Sequence, residues 1–327
     1  MKTSLSCILL LSASCVAFGQ LPDFYKSVDR ATWVVKDLDG VTAAWEKIGV
    51  SEIRRLGEIT SSDQYRGKNV TSKVRVAAGR IGDLHIVWIQ PLSQGNAYAD
   101  FLEKHGDGVF SLIHRVPSPD ALEREIERLA GAGVGVLQRG KLKGSIPYAQ
   151  MDTASQGKYS LGLIWFPPGS DEPFNVPANP SGPQVSQYAL VVRNLRAVSA
   201  YWHKLGFPEM TYTHGPVTDP VYRGQKGQFD HELGWHRHGK VTYEWIQSFK
   251  GPTVYDDFLK AHGEGIHHLG VNVPDIDEAI AVWKRLGYAV SQSGGWGDKR
   301  KAGSGRFAYI ELERAGGLTI ELLWSYR

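Results

Sequence analysis

Sulfur is scarce in this chain. It has two cysteines and three methionines in 327 residues, and both cysteines, Cys7 and Cys15, fall within the first fifteen. Disulfide stapling and thiol chemistry are therefore excluded for everything beyond them. Long apolar runs are missing too: the one run of note, residues 5–18, is too short to cross a bilayer. Neither sign of charge dominates. Thirty-seven Lys and Arg stand against 34 Asp and Glu, net +3, and the basic residues are scattered, which argues against a nucleic-acid partner. No Walker motif, Rossmann fingerprint or Ser-His-Asp order occurs. What is abundant is aromatic: 10 Trp, 14 Tyr and 11 Phe, far more than a disordered chain carries. The length suits two domains.

The N-terminus reads as a secretory leader over residues 1–19. Lys2 supplies the basic start, an apolar stretch follows, and Ala17-Phe18-Gly19 offers small residues at the cleavage positions. Cleavage near Gly19/Gln20 is expected, with a periplasmic or secreted destination. A lipoprotein signal around Cys15 is the alternative, although Ser12 stands where Leu is usual. Asn69-Val70-Thr71 is a glycosylation sequon, relevant only in a eukaryotic source.

The rest of the chain contains itself twice. Residues 30–38 (RATWVVKDL) match 187–195 (QYALVVRNL), Tyr65-Arg66-Gly67 matches Tyr222-Arg223-Gly224, and Trp88-Ile89-Gln90 matches Trp245-Ile246-Gln247. His105-Gly106-Asp107-Gly108 matches His262-Gly263-Glu264-Gly265. All four pairs are 157 residues apart, a register that chance does not keep, so the chain is a duplication. The seam, 167–183, has six prolines in seventeen residues, a linker composition. It separates a first domain, 20–166, from a second, 184–327. Each half divides again. In the second half a strand-like run at 187–192 precedes a helical stretch ending at Gly206. The run at 268–273 precedes another ending at Gly287, with Asp275 or Asp277 as its cap. Three strand-like segments follow each helix, so the unit is β-α-β-β-β, present four times.

These modules, the two VV(K/R)(D/N)L openings and the stretch Gly263-Glu264-Gly265-Ile266-His267-His268-Leu269-Gly270 resemble the vicinal oxygen chelate superfamily. This is the glyoxalase, bleomycin-resistance and dioxygenase group. Residues 257–268 are similar in particular to its methylmalonyl-CoA epimerase-like branch. The resemblance implies an α+β fold in which four βαβββ modules form two open, cup-shaped, eight-stranded mixed sheets with helices outside. It also implies four metal-ligand positions per cup. In the second half these fall on Gln187, Glu244, His268 and Glu321; Gln187 departs from the family's usual His. In the first half they fall on Arg30, Val87, Ser111 and Gly162, a set unfit for a metal, which implies a degenerate copy kept for packing or for an anion at Arg30.

Strand alternation gives a check that does not use the family. Gln187, Glu244, His268 and Glu321 each lie opposite the apolar residues of their own strand, so all four face away from the helix-packed side. Two carboxylates gathered in a cup need a cation. A divalent ion supplies it, and Arg223 or Arg193 is the alternative. The oxygen-rich set favours Mn, Mg, Co or Ni, with Zn and Fe also open.

The implied activity is metal-dependent isomerisation, epimerisation or lyase chemistry α to a carbonyl of a small molecule. Glu321 and Glu244 would be the proton-moving groups, and Tyr222, Arg223 and Asn272 would contact substrate. The alternatives are an extradiol-type dioxygenase and a small-molecule binding protein. For the binder, Trp33, Trp88, Trp245 and Trp324 are available, although alternation puts most of them in the core. Monomer and homodimer are both compatible. Of the other histidines, His231, His236 and His238 are expected in a solvated hairpin, His267 on the face opposite His268, and His105 and His262 in matching structural turns.

Overall fold

The computed structural model describes residues 21–50, 52–170, 172–177 and 184–326. The expected leader, with Cys7 and Cys15, and residues 178–183 of the expected linker lie outside the described residues. No helix among the described residues is long and apolar enough to cross a membrane.

The first module is β1 (Arg30–Val34), α1 (Leu38–Ile48), β2 (Arg54–Tyr65), β3 (Lys68–Ile81) and β4 (Leu84–Pro91). After α2 (Ala97–His105), the second is β5 (Gly108–Arg115), α3 (Pro119–Gly131), β6 (Val136–Leu142), β7 (Ile146–Met151), the single turn α4 (Ala154–Gly157) and β8 (Ser160–Ile164). The third is β9 (Val185–Val191), α5 (Leu195–Lys204), β10 (Thr211–His214), β11 (Thr218–Tyr222), β12 (Gln225–Lys226), β13 (Asp230–His238) and β14 (Val241–Lys250). Beyond α6 (Val254–Ala261), the fourth is β15 (Gly265–Asn272), α7 (Ile276–Arg285), β16 (Val290–Trp296), β17 (Gly305–Leu312) and β18 (Leu318–Ser325).

Local chemistry starts and stops the helices as the sequence requires. Asp37, Asn194 and Asp275 cap α1, α5 and α7 by accepting backbone N–H groups of the first turn. Thr253 and Asp256 form a capping box on α6. Gly49 ends α1 at φ 104°, a conformation that a side chain resists.

Within each half the two modules join through their first strands, β1 to β5 and β9 to β15, both antiparallel. The four-module α+β layout is the expected one, but the two sheets differ. The first closes into a barrel, β1-β4-β3-β2-β6-β7-β8-β5, where an open cup was expected. The second is an open ten-stranded sheet, where eight strands were expected. One segment makes the difference. β2 runs unbroken for 12 residues and reaches β6. Its counterpart, 157 residues on, is split into β10 and β11 by Gly215-Pro216-Val217. Pro216 has no N–H for the ladder. β10 therefore stays with β13 while β11 crosses to β16, and the ring has a seam.

The halves share one hydrophobic core. Indoles stitch it across the duplication. Trp33 Nε1 donates to Gly316 O at 2.5 Å, Trp45 Nε1 to Ala315 O at 2.8 Å, and Trp202 Nε1 to Gly157 O at 3.2 Å. Trp45 and Trp202 are equivalents, so the stitching runs both ways. His105 Nδ1 meets His262 O at 2.6 Å and His262 Nδ1 meets His105 O at 2.7 Å, a reciprocal pair that gives the matching turns their structural role.

Candidate metal centre in the second sheet

β9, β14, β15 and β18 are adjacent in the second sheet, and each projects one polar side chain to a common point. Ala189 lies opposite both Glu244 and His268, while Gly270 lies opposite both Gln187 and Glu321. Gly270 is small for a reason: a Cβ there would stand 2.4 Å from Gln187 Cγ. Gln187 Nε2 donates to Glu244 at 2.8 Å and to Glu321 at 2.7 Å. His268 Nε2 lies 3.3 Å from Glu244 and 3.2 Å from Glu321, with no aligned hydrogen bond. All four residues are at most 7 % exposed.

Burial raises the pKa of the Glu244 carboxyl, with Glu321 adding to the rise and His268 opposing it. Burial alone would depress the His268 imidazole, but the charges of Glu321 and Glu244 outweigh it and hold its pKa at about 9. Two carboxylates around one imidazole leave an uncompensated negative charge in a dry site, which costs several kcal/mol (order of magnitude) unless a cation joins them. The arginine alternative fails on geometry. Arg223 pairs with Asp257 at 2.8 Å and Glu311 at 2.9 Å, and the Arg193 guanidinium donates to Leu259 O.

A divalent ion fits this donor set. The ligand atoms of Glu244, His268 and Glu321 lie within 4.8 Å of one another, the one such group among the described residues. His268 Nε2 makes no aligned hydrogen bond, so an ion that displaces its proton breaks none. The Gln187 amide bridges two acceptors through its nitrogen, and turned by 180° it would offer an oxygen instead.

The first barrel repeats the register without the ligands. Thr32 lies opposite both Val87 and Ser111, and Ile113 lies opposite both Arg30 and Gly162. Ile113 thus replaces Gly270, and Gly162 replaces Glu321. A Cβ on Gly162 would stand 2.5 Å from Ile113 Cγ1, so no carboxylate can enter. Arg30 stacks 4.4 Å over Phe166 and pairs with Asp29 at 2.5 Å, so its charge is already met.

Other expected site residues lie elsewhere. Tyr222 and Arg223 latch α6: the Tyr222 hydroxyl donates to Asp257 at 2.7 Å. Tyr65 and Asp100 repeat that bond in the first half. Asn272 is exposed at the end of β15. The expected hairpin is present, β13 paired with β14, but two of its histidines are not solvated. His236 is buried between Phe207 and Tyr243, and His231 lies against Tyr255. Strand alternation missed a surrounding tier. Tyr309 lies opposite Glu321, packs edge-on to His268 and shares a 2.8 Å hydroxyl bond with Tyr255. Burial, then the nearby carboxylates, push both phenols well up, so they stay neutral. Alternation also misplaced His267, whose Nδ1 lies 2.9 Å from His268 Nδ1. The His-His doublet, set against Phe110-Ser111 at the equivalent positions, was the available signal.

Residues 186–309 match the family model described as Glyoxalase/Bleomycin resistance protein/Dioxygenase superfamily; the matched model is the superfamily's and not that of the epimerase branch. No curated protein matches the sequence. Among solved structures the chain is similar to a triple mutant of 4-hydroxymandelate synthase from Streptomyces coelicolor. The TM-score is 0.59 at 16% identity, over 91% of this chain and 92% of that one. It is also similar to a xylose isomerase-like TIM barrel/4-hydroxyphenylpyruvate dioxygenase fusion protein. There the TM-score is 0.54 at 15% identity, over 92% of this chain and 49% of that one.

Proposed function

We propose that this chain, whose residues 186–309 match the glyoxalase/bleomycin resistance/dioxygenase superfamily and whose layout is the vicinal oxygen chelate fold, is a divalent-metal-dependent isomerase, epimerase or lyase acting α to the carbonyl of a small molecule. The observation that carries this is the composition of the buried cluster: two carboxylates, one carboxamide and a single imidazole. Gln187, Glu244, His268 and Glu321 would hold the ion, and the oxygen-rich set favours Mn, Mg, Co or Ni. Once bound, the ion supplies Lewis-acid stabilisation of negative charge developing on a substrate oxygen.

The protein's own groups do the rest. Enolisation needs a base whose pKa sits near the working pH. Burial moves Glu244 in that direction, and Glu321 stands across the Gln187 amide as the second carboxylate. Gln187 can hold one carboxylate in place while the other exchanges a proton. Tyr255 and Tyr309 remain protonated and close the cup against water at the α6 end. At the break between β10 and β11, Val217 packs with the cup's inner cluster. The basic start and apolar stretch of residues 1–19, read as a secretory leader, support a periplasmic or secreted location.

A second reading, an extradiol-type dioxygenase, draws support from the superfamily match, which includes dioxygenases, and from the layout shared with the dioxygenase fusion protein over 92% of this chain. Non-haem iron oxygenases use two histidines and one carboxylate, and Gln187 stands where the second histidine would be needed. Elemental analysis of gently purified protein tests the metal. Solvent-deuterium exchange into small 2-oxo and 2-hydroxycarbonyl compounds tests the proton chemistry. Oxygen uptake with catechols or 2-oxo acids and no exchange would transfer the assignment to the second reading. A protein without bound ion and without exchange leaves the binding-protein alternative.

A further inference from the structure

β15 does not run straight past β9. Ile266 lies opposite Leu190 and His268 opposite Ala189, so His267 is an extra residue without a partner. Such a bulge places two successive side chains on the same side of a strand. His267 therefore enters the cup beside His268 rather than facing away. Its ring sits 5.0 Å from Phe258, 5.7 Å from Tyr255 and 5.9 Å from Tyr309, among the aromatic groups of the inner cluster.

The duplication contains its own control. β5 carries the same bulge: Thr32 lies opposite Ser111 and Trp33 opposite Val109, which leaves Phe110 extra. Phe110 packs 5.5 Å from Tyr98 and 5.4 Å from Phe101, the equivalents of Tyr255 and Phe258. Two of the three walls are thus the same in both halves; at the third, Gln150, opposite Gly162, stands where Tyr309 is opposite Glu321. A hydrocarbon ring fills the cage where Ser111 follows, and an imidazole fills it where His268 follows. An imidazole inside an aromatic cage is the costlier choice unless its polar atom is used. Here that atom lies 2.9 Å from His268 Nδ1, with the two rings at 86°.

A contact between two ring nitrogens holds one proton, and its direction matters. If His267 donates, His268 must carry its remaining proton on Nε2, the atom facing Glu244 and Glu321. If His267 accepts, His268 keeps its Nδ1 proton and Nε2 is the nitrogen that can give up its proton to an ion. We propose that His267 is a positioning residue whose Nδ1 accepts the Nδ1–H of His268, fixing the tautomer and ring plane that present Nε2 to a divalent ion between the two glutamates. The proposal rests on the metal-centre reading above.

The test compares Mn2+ affinity in wild type, His267→Phe and His267→Asn, with melting curves of the ion-free proteins as a check on folding. Asn keeps an acceptor close to the position of Nδ1; Phe reproduces the first half. The expected result is a loss of about 10- to 100-fold in affinity for Phe and recovery of most of it with Asn. A ring that merely fills space predicts the opposite order, Phe tolerated and Asn poor, and that order overturns the proposal. The Zn2+-loaded protein should show its His268 proton on Nδ1 in 15N spectra; a proton on Nε2 overturns it as well. Wild type that takes up no ion would sink the metal reading and this role with it. The two failures are distinct, because failure of the His267 role alone leaves wild-type affinity intact.

Discussion

Stripped of divalent ions, the folded protein should weaken as the pH rises through the neutral range. The reason is His268. Its pKa in the fold is about 9 against an ordinary 6.5, because Glu244 and Glu321 favour the imidazolium more than burial opposes it. A group raised in the fold contributes stability in full below its unfolded pKa and loses it as the pH climbs through the folded one. The window is therefore 6.5 to about 9, and the difference corresponds to about 3 kcal/mol. Solvent screening does not reduce this, since the side chain has no exposed surface. Glu244 is raised too, by burial, and adds a loss of the same sign at lower pH. Urea unfolding of chelator-treated protein, followed by tryptophan fluorescence at several pH values across the window, measures the trend. His268→Gln should flatten it. Saturating divalent ion should reverse it, because an ion replaces the proton on Nε2 and binds more tightly as protons become scarce. Ion-free stability that is level across the window, or an unchanged slope in His268→Gln, would refute the argument.

Glu244→Gln and Glu321→Gln should each abolish ion retention by elemental analysis, whereas Arg223→Ala should leave it unchanged, since Arg223 serves Asp257 and Glu311. Gly270→Ala forces a Cβ against Gln187 and should cost about 1–3 kcal/mol in thermal or urea unfolding, with weaker ion binding as its signature. Trp202→Phe removes the donor to Gly157 O and should cost about 1 kcal/mol, while Trp202→Ala should cost about 3–5 kcal/mol. Urea midpoints that do not move for either tryptophan variant would show that the indole stitch contributes nothing.

The four modules were legible because duplication leaves spacing behind, and spacing survives the loss of side chains. The same spacing located Arg30, Val87, Ser111 and Gly162, and the strand register of the barrel pairs these residues as Gln187, Glu244, His268 and Glu321 are paired. Alternation placed those four on one side of the sheet, because the run His268–Gly270 and the stretches around Glu244 and Glu321 keep the period of two. It failed at His267, where the bulge adds a residue and the period slips by one. Ring closure was not legible either. Whether a strand reaches both neighbours depends on hydrogen bonds between distant segments, and Gly215-Pro216 reads locally as an ordinary turn. His236 misled for a related reason: a polar residue flanked by Trp235 and Arg237 looks solvated until Phe207 and Tyr243 are packed against it.

The crossed indole bonds have a consequence for how this molecule can be taken apart. Trp33 and Trp45 anchor on Gly316 and Ala315, and Trp202 anchors on Gly157, so neither copy owns all of its own foundations. Trimming the protein to the ligand-bearing portion would leave carbonyls without donors and a broad oily face without a cover. The barren copy is a brace: it carries no metal-binding side chain at the four equivalent positions, and two of its indoles hold backbone carbonyls of its sibling.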